Sequence, residues 1–329
     1  MLHATTALAQ RPEVSGTNAQ EDAGWSGYLQ LLAGGSRSDG AAVYADDNAQ
    51  IASLSAPTRE HDADFLLPLW QLRYRLPGNG ITLFAGMPEQ GIIENEATVE
   101  VGARYALAND ASVWLAYGPG LSLYRKQVWK DPFLTGEKRA HTDTETQALR
   151  LGADYILGSP VSVTYAMGDI SVKDEQSGQS LSGRLSSADI DDLRRSGTLS
   201  QTRISLTLPM TARVFIIPEL IHTQRQTDGE AHRYHSPEAR LALAYLADPW
   251  EVYVHGYVGK DNYRHEHPVF GTKREDTRTG FTAGVSYSEP LGWRDLQANV
   301  VVGNAVVDST IPFYDATVQV VTMGLTWRY

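Results

Sequence analysis

The amino-acid sequence predicts an all-β fold, a single antiparallel transmembrane β-barrel of about fourteen strands, and three observations carry that expectation. Long stretches alternate apolar and polar residues with period two. The connections between them alternate between tight turns and mostly long polar loops. The chain ends TMGLTWRY, an alternating segment that stops on the aromatic Tyr329, where termini are normally polar and frayed.

Taken in order, the opening MLHATTALAQ sets Ala7 and Ala9 at the small-residue positions of a secretory cleavage site. Residues 1–9 therefore read as the remnant of a signal peptide, 10–23 as a leader, and 24–329 as the barrel. The fourteen stretches are 25–35, 64–76, 80–87, 92–107, 111–124, 144–158, 160–170, 199–208, 212–223, 236–247, 250–262, 275–288, 293–304 and 316–329. In the fourth, Ala97, Val99, Val101, Ala103 and Tyr105 oppose Glu96, Thr98, Glu100, Gly102 and Arg104. In the sixth, Leu149, Leu151, Ala153, Tyr155 and Leu157 oppose Arg150, Gly152 and Asp154. In the twelfth, Phe281, Ala283, Val285 and Tyr287 oppose Arg278, Gly280, Thr282, Gly284 and Ser286. Most of these stretches suit the roughly 9–11 tilted residues that cross a bilayer. The faces of 212–223 and 250–262 are ambiguous, because apolar residues occupy both phases.

The tight connections lie at 77–80, 108–110, 158–160, 209–212, 247–250 and 289–293. The long ones lie at 36–63, 125–143, 171–198, 224–235, 263–274 and 305–315, with 87–91 the short member of that series. Turns at one end and loops at the other put the turns in the periplasm and the loops outside the cell. Within 171–198, Ser186 and Asp189 form a capping box and Gly197 a stop, which predicts a short surface helix. Pro68 and Pro218 interrupt proposed strands and predict a bulge or a shifted boundary at each.

The polar phase decides that the apolar phase meets lipid. It is rich in Gly, Ser and Thr with sparse charge, as a crowded lumen requires, and lysine is confined to loops and strand ends. Aromatics collect near strand ends, at Trp25, Tyr74, Tyr105, Tyr124, Trp250, Tyr287, Trp327 and Tyr329, as interfacial girdles do. No run reaches 18 apolar residues, the chain has no cysteine, and a net charge of -11 argues against nucleic acid as a partner.

The terminal Thr322, Gly324, Trp327 and Tyr329 resemble the C-terminal signature by which the barrel-assembly machinery recognises outer-membrane proteins. Further upstream, GWSGYLQLLAGGSRSD, LFAGMPEQG and VWKDPF resemble a family of Gram-negative outer-membrane proteins that is a domain of unknown function. That resemblance implies a barrel and supplies no activity or site residues.

Inward-pointing charges are the functional lead. Arg73 and Arg75 fall on the second stretch; Glu96, Glu100 and Arg104 on the fourth; Arg150 and Asp154 on the sixth. Arg203, Glu238 with Arg240, and Arg278 follow on the eighth, tenth and twelfth. In a fourteen-stranded lumen they either line a pore and set its selectivity or pair to brace the wall. Six of nine histidines, His222, His232, His235, His255, His265 and His267, cluster without forming a closed ligand set, so no metal or cofactor is expected. Neither a G-x-S-x-G elbow nor an H-E-x-x-H helix is present, and no catalytic residues stand out.

The expected function is a monomeric, porin-like outer-membrane channel for small hydrophilic solutes, in contact with outer-membrane lipid and lipopolysaccharide. The alternatives are a closed barrel whose loops serve interaction or adhesion, and a lipid-modifying enzyme.

Overall fold

The computed structural model describes residues 23–87, 99–120 and 126–329. Among these residues, sixteen strands form: β1 (Gly24–Ser38), β2 (His61–Arg75), β3 (Ile81–Gly86), β4 (Glu100–Ala106), β5 (Ser112–Gly118), β6 (Gln127–Trp129), β7 (His141–Asp154), β8 (Val161–Val172), β9 (Gly197–Leu206), β10 (Leu208–Pro209), β11 (Val214–Thr227), β12 (Tyr234–Ala247), β13 (Trp250–His267), β14 (Thr272–Ser288), β15 (Leu296–Ser309) and β16 (Ala316–Arg328). Fourteen of them form the barrel wall, each antiparallel to its neighbours; β6 is a short flap on β7, and β10 continues β9 along β11 in the same register. The seam is β1 against β16, from Tyr28↔Arg328 to Ser38↔Val318. Gly27 extends it: its N–H donates to the Tyr329 carbonyl at 3.0 Å and its carbonyl accepts from the Tyr329 N–H at 3.2 Å. Closure leaves no strand edge in the acyl layer, where each open backbone group costs several kcal/mol.

The lipid face follows the expected phase. Val101, Leu115, Leu151, Leu220, Phe281, Val300 and Leu325 stand exposed on the outer surface. Around the short-turn end runs an aromatic belt in which Trp25 meets Tyr74 (4.7 Å between ring centroids), Trp250 meets Tyr287 (4.7 Å) and Trp327 meets Tyr329 (5.0 Å). Tyr124 of the expected belt, Glu96 of the expected lumen, and residues 1–9 all lie outside the described residues.

Several expectations need correction. The loops expected at 224–235, 263–274 and 305–315 shrink to 228–233, 268–271 and 310–315, because β11, β13, β14 and β15 run on past the apolar band. Their outer positions turn polar there, as at Lys260, Lys273, Glu275 and Thr277, so a boundary set by apolar alternation marks where lipid ends and not where the strand ends. At the other end, β7 stops at Asp154; Tyr155 and Leu157 belong to the turn, with φ of 49° and 56°. Neither proline shifts the register: Leu31↔Pro68 and Pro218↔Leu241 are continuous with their neighbours. Pro68 shares its phase with Trp70, whose carbonyl accepts from Met87 N–H at 2.9 Å, so its missing donor faces the β3 side, above the last pairing Gln71↔Gly86. Opposite Pro218 the β9–β11 ladder lapses for two positions and resumes unshifted as β10, as expected for one lost N–H. The capping box forms as expected, Ser186 capping the helix α1 (Ser187–Asp191), but Gly197 opens β9 and does not stop the helix.

Candidate functional site

The lumen is built in tiers from strand residues of the inward phase. Lowest, near the short turns, Arg104 donates from Nη1 to Asp154 Oδ2 at 2.5 Å and to Ser112 Oγ at 2.7 Å. Arg73 donates from Nε to Gln71 Oε1 at 2.5 Å, and Arg75 stands one turn of the pleat below it on the same face. This tier keeps solvent contact, the Arg104 and Asp154 side chains being 34% and 21% exposed.

Midway the charges are enclosed. Arg150 Nη1 donates to both oxygens of Glu100, at 3.0 and 3.3 Å, with the side chains only 8% and 5% exposed. Farther round the wall Arg278 reaches three partners: Glu238 Oε2 at 2.9 Å, Asp261 Oδ1 at 2.9 Å and Ser236 Oγ at 2.7 Å. Arg240 pairs with the other oxygen of Glu238 and lies 5.6 Å above the Tyr257 ring. Arg203 sits between the two groups, within electrostatic reach of Glu219, Arg240, Arg150 and Glu238. The ten expected lumen charges that fall among the described residues all face inward, and Glu100 with Arg150, Arg104 with Asp154, and Glu238 with Arg278 pair across strands. Glu219 and Asp261 belong with them and escaped the sequence reading because both lie on the strands whose faces were ambiguous.

Inward aromatics lie flat against the wall. A Cβ placed on Gly152 would come within 2.5 Å of the Trp114 ring, and one on Gly284 within 2.3 Å of the Tyr253 ring. The glycines of the polar phase therefore seat neighbouring rings and keep them out of the passage. One sector departs from the uniformly polar lumen expected: Leu32, Val301, Ala305, Val318 and Val320 are buried inward residues of β1, β15 and β16, with Phe65 of β2 packed on the valines of β16.

Above the wall, six connections fold into one apolar cap. Ala41 and Ile51 come from 39–60, Phe133 from 126–140, Leu193 from 173–196, Ala231 from 228–233, Phe270 from 268–271, and Ile311, Phe313 and Tyr314 from 310–315. Phe133 and Phe313 are 0% and 2% exposed, and their centroids lie 5.6 Å apart. Polar stitches register the loops. Arg139 donates to the carbonyls of Ala41 (2.8 Å), Pro132 (3.0 Å) and Asn48 while stacking 4.3 Å from Trp129. The Asp131 carboxylate accepts from the backbone N–H of Phe133, Gly178 and Ser180 at 3.0, 3.0 and 2.8 Å. Burial lowers the Arg139 guanidinium to about 10, still charged at neutral pH, and pushes the Tyr314 phenol up to about 12. A cleft of about 370 Å³ indents the cap between Leu54, Phe133, Leu181, Phe270 and Phe313, with Arg184 beside it.

The histidines scatter by role. His267 bonds Tyr314 Oη at 2.7 Å and meets the His232 ring at 5.8 Å inside the cap, and His265 contacts Glu230 at 3.2 Å outside it. Burial foremost, then the neighbouring His267 and Arg274, holds the His232 imidazole well below its ordinary value. His255 faces the lumen, while His222 and His235 fall on the outer phase of β11 and β12. Among the described residues, no group of histidine and acidic side chains has the arrangement of a metal site. At the C-terminus, Thr322 and Gly324 face inward and Trp327 and Tyr329 face lipid; a Cβ on Gly324 would come within 2.5 Å of the Leu32 side chain, so the signature glycine makes room for a core leucine.

The sequence profile of a family described as "Protein of unknown function (DUF2860)" matches residues 24–328. No curated protein matches the chain. Among solved structures, a TodX mutant described as a monoaromatic hydrocarbon channel with both S2 and S3 deleted superposes with a TM-score of 0.52 at 9% identity, over 93% of this chain and 90% of that one. The TodX mutant lacking S2 alone gives 0.51, also at 9% identity, over 93% and 90%. The monoaromatic hydrocarbon channel CymD gives 0.49 at 10% identity, over 94% and 90%. At these identities the likeness to TodX is one of fold.

Proposed function

The chain belongs to that family of unknown function, and from this premise we propose that it is an outer-membrane channel for small hydrophilic solutes, closed at its outer mouth by its own loops until they move. The observation that carries this reading is the gradient of enclosure along the lumen. Arg104 and Asp154 keep solvent contact near the short turns, Glu100 and Arg150 are enclosed midway, and the loop core lies above them. A barrel of fourteen strands is wider than the ~8 that side chains fill, so its wall leaves room for a passage that the loop core covers from above. TodX is a channel for monoaromatic hydrocarbons; here the paired guanidinium and carboxylate groups that dominate the wall opposite Leu32 and Val320 favour a hydrophilic cargo. On this reading the chain acts as a monomer embedded in lipid and lipopolysaccharide.

Planar-bilayer recording tests the reading. The intact protein is expected to give small, infrequent openings, and replacing residues 174–195 by a short glycine–serine turn is expected to give larger, sustained conductance, since Leu181, Leu185 and Leu193 leave the cap with it. Silence from both proteins would reject the channel. The same cap favours a second reading, a surface platform for a binding partner, because six loops folded into one core present a rigid outer surface. On that reading the loop replacement abolishes partner binding and leaves conductance absent.

A further inference from the structure

We infer that the cleft in the loop cap is a binding site for a small aryl monocarboxylate, an aromatic ring carrying one carboxylate, and that Arg184 holds the charge. The site belongs to the loops and needs no open lumen.

The cleft holds about 370 Å³ and is lined from five connections: 39–60, 126–140, 173–196, 268–271 and 310–315. That volume falls at the lower end of the roughly 300–1,000 Å³ of small-molecule sites, room for one or two rings. Phe133, Phe270 and Phe313 stand together on its apolar side, with centroids 5.6, 5.6 and 6.2 Å apart. Phe133 and Phe313 are buried, whereas Leu54, Leu181 and Phe270 are only partly covered. The cap has no lipid to cover them, and apolar surface left open in this way marks a place where something binds. A further ring extends the existing packing, since aromatic pairs favour offset or edge-to-face contact at about 4.5–7 Å.

Charge selects the occupant. Among the described residues lining the cleft, Arg184 alone is charged. The other three cations of 173–196 are paired: Lys173 with Glu145 at 2.6 Å, Arg194 with Asp191 at 2.8 Å and Arg195 with Glu175 at 2.6 Å. Arg184 is exposed and, among the described residues, has no carboxylate partner. One cation without a counter-charge beside an apolar floor fits one anionic group joined to an apolar body. A guanidinium fork matches a carboxylate through two parallel hydrogen bonds. The hydroxyls of Ser53, Ser55 and Thr135 in the same lining offer further donors to its oxygens. An amine finds no acid there, and a carboxylate lacking a ring leaves the apolar side wet.

Ligand-observed NMR titration of the full chain in lipid nanodiscs, with empty nanodiscs as the blank, tests the site using cinnamate as the probe. Cinnamamide controls for the charge, acetate for the ring and phenethylamine for the sign. Saturable cinnamate binding is expected at roughly 0.1–1 mM, the affinity open to a ligand of about eleven non-hydrogen atoms. Cinnamamide is expected to bind about fivefold more weakly, and acetate and phenethylamine without saturation. Arg184→Gln is expected to weaken cinnamate roughly fivefold, the upper end for an exposed ion pair, and to leave cinnamamide unchanged. Leu54→Ala, which removes part of the apolar wall, is expected to weaken both about threefold. Neither residue is fully buried, and retained heat-dependent gel migration verifies that each variant is folded. A bound ring ties five connections together, so protease cleavage within 173–196 is expected to slow as cinnamate saturates, at higher concentration in Arg184→Gln. No saturable cinnamate binding, equal affinity for cinnamate and cinnamamide, preference for phenethylamine, or cinnamate affinity indifferent to Arg184→Gln would each overturn the assignment.

Discussion

The lumen and the cap both fill the inside of a barrel, and they do so with opposite chemistries. Lumen side chains hang from a wall whose backbone is already paired strand to strand, so Arg150 with Glu100 and Arg278 with Glu238 need only neutralise one another. The cap has no closed ladder beneath it. Its loops are held by burial of Phe133, Phe313 and Leu193 and by side chains such as Arg139 that bond backbone carbonyls across loops. The difference teaches that the two layers are separable: the cap can loosen without unzipping the wall, whereas a broken lumen pair strands a charge inside the wall itself.

The largest effect that would test this comparison comes from Phe133→Ala combined with Phe313→Ala. Each substitution removes a fully buried ring, worth about 3–5 kcal/mol in a packed core. Residues 173–196 are expected to become cleavable by protease and the ion current to rise, with the heat-modifiable gel shift of the barrel unchanged. A barrel that melts with its cap would refute separability. Next is Arg278→Ala, which leaves Glu238 and Asp261 short of a counter-charge in the wall. The expected cost is about 3 kcal/mol, at the lower end for a broken buried pair because Arg240 still pairs with Glu238. It should appear as a lower thermal midpoint of the barrel with the loops as protease-resistant as before.

A smaller effect follows from pH. Burial holds the folded-state value of His232 below its unfolded one, so folding favours the neutral ring. Its contribution is therefore fully present above an unfolded value of about 6.5 and declines as pH falls below it, through the depressed folded value. Hydrogen-exchange protection factors in 228–233 and 310–315, corrected for the intrinsic pH dependence of amide exchange, are expected to fall between neutral and mildly acidic pH, and His232→Gln to flatten that dependence; an unaltered dependence in the variant would assign it elsewhere. Smallest of all is Lys260→Ala. Its 2.9 Å pair with Glu275 lies on the outer face of the part of β13 and β14 that protrudes above the lipid, with the side chains 52% and 40% exposed. No measurable change in stability or current is expected.

The barrel was legible because its two physical demands leave a trace in every strand: lipid outside, water inside, period two. Strand ends were legible only where chemistry changes with the fold. Lys260 and Glu275 look like loop residues because they leave lipid, though the backbone stays paired. Tyr155 and Leu157 look like strand because they are apolar, though the chain has already turned. The charged faces of β7, β12 and β14 stood out against apolar neighbours, while Glu219, Asp261 and His255 were hidden on strands carrying Phe215, Ile217 and Tyr257 in the same inward phase. The cap was written in the sequence as Phe133 in DPF, Phe270 in PVF and Phe313 in PFY, aromatics beside proline in otherwise polar connections. Apolar residues at such places have no lipid to meet, and their need for one another is a long-range property that local periodicity does not carry.

The absence of cysteine makes the central claim, a lumen open below and shut above, directly measurable. Thr82 faces the lower lumen opposite Arg75 and Arg104, and Thr82→Cys supplies the sole thiol. Labelled from the loop side with a membrane-impermeant maleimide, it is expected to react slowly with the cap intact and rapidly once Phe133 and Phe313 are replaced by alanine. Fast labelling beneath an intact cap would contradict the account.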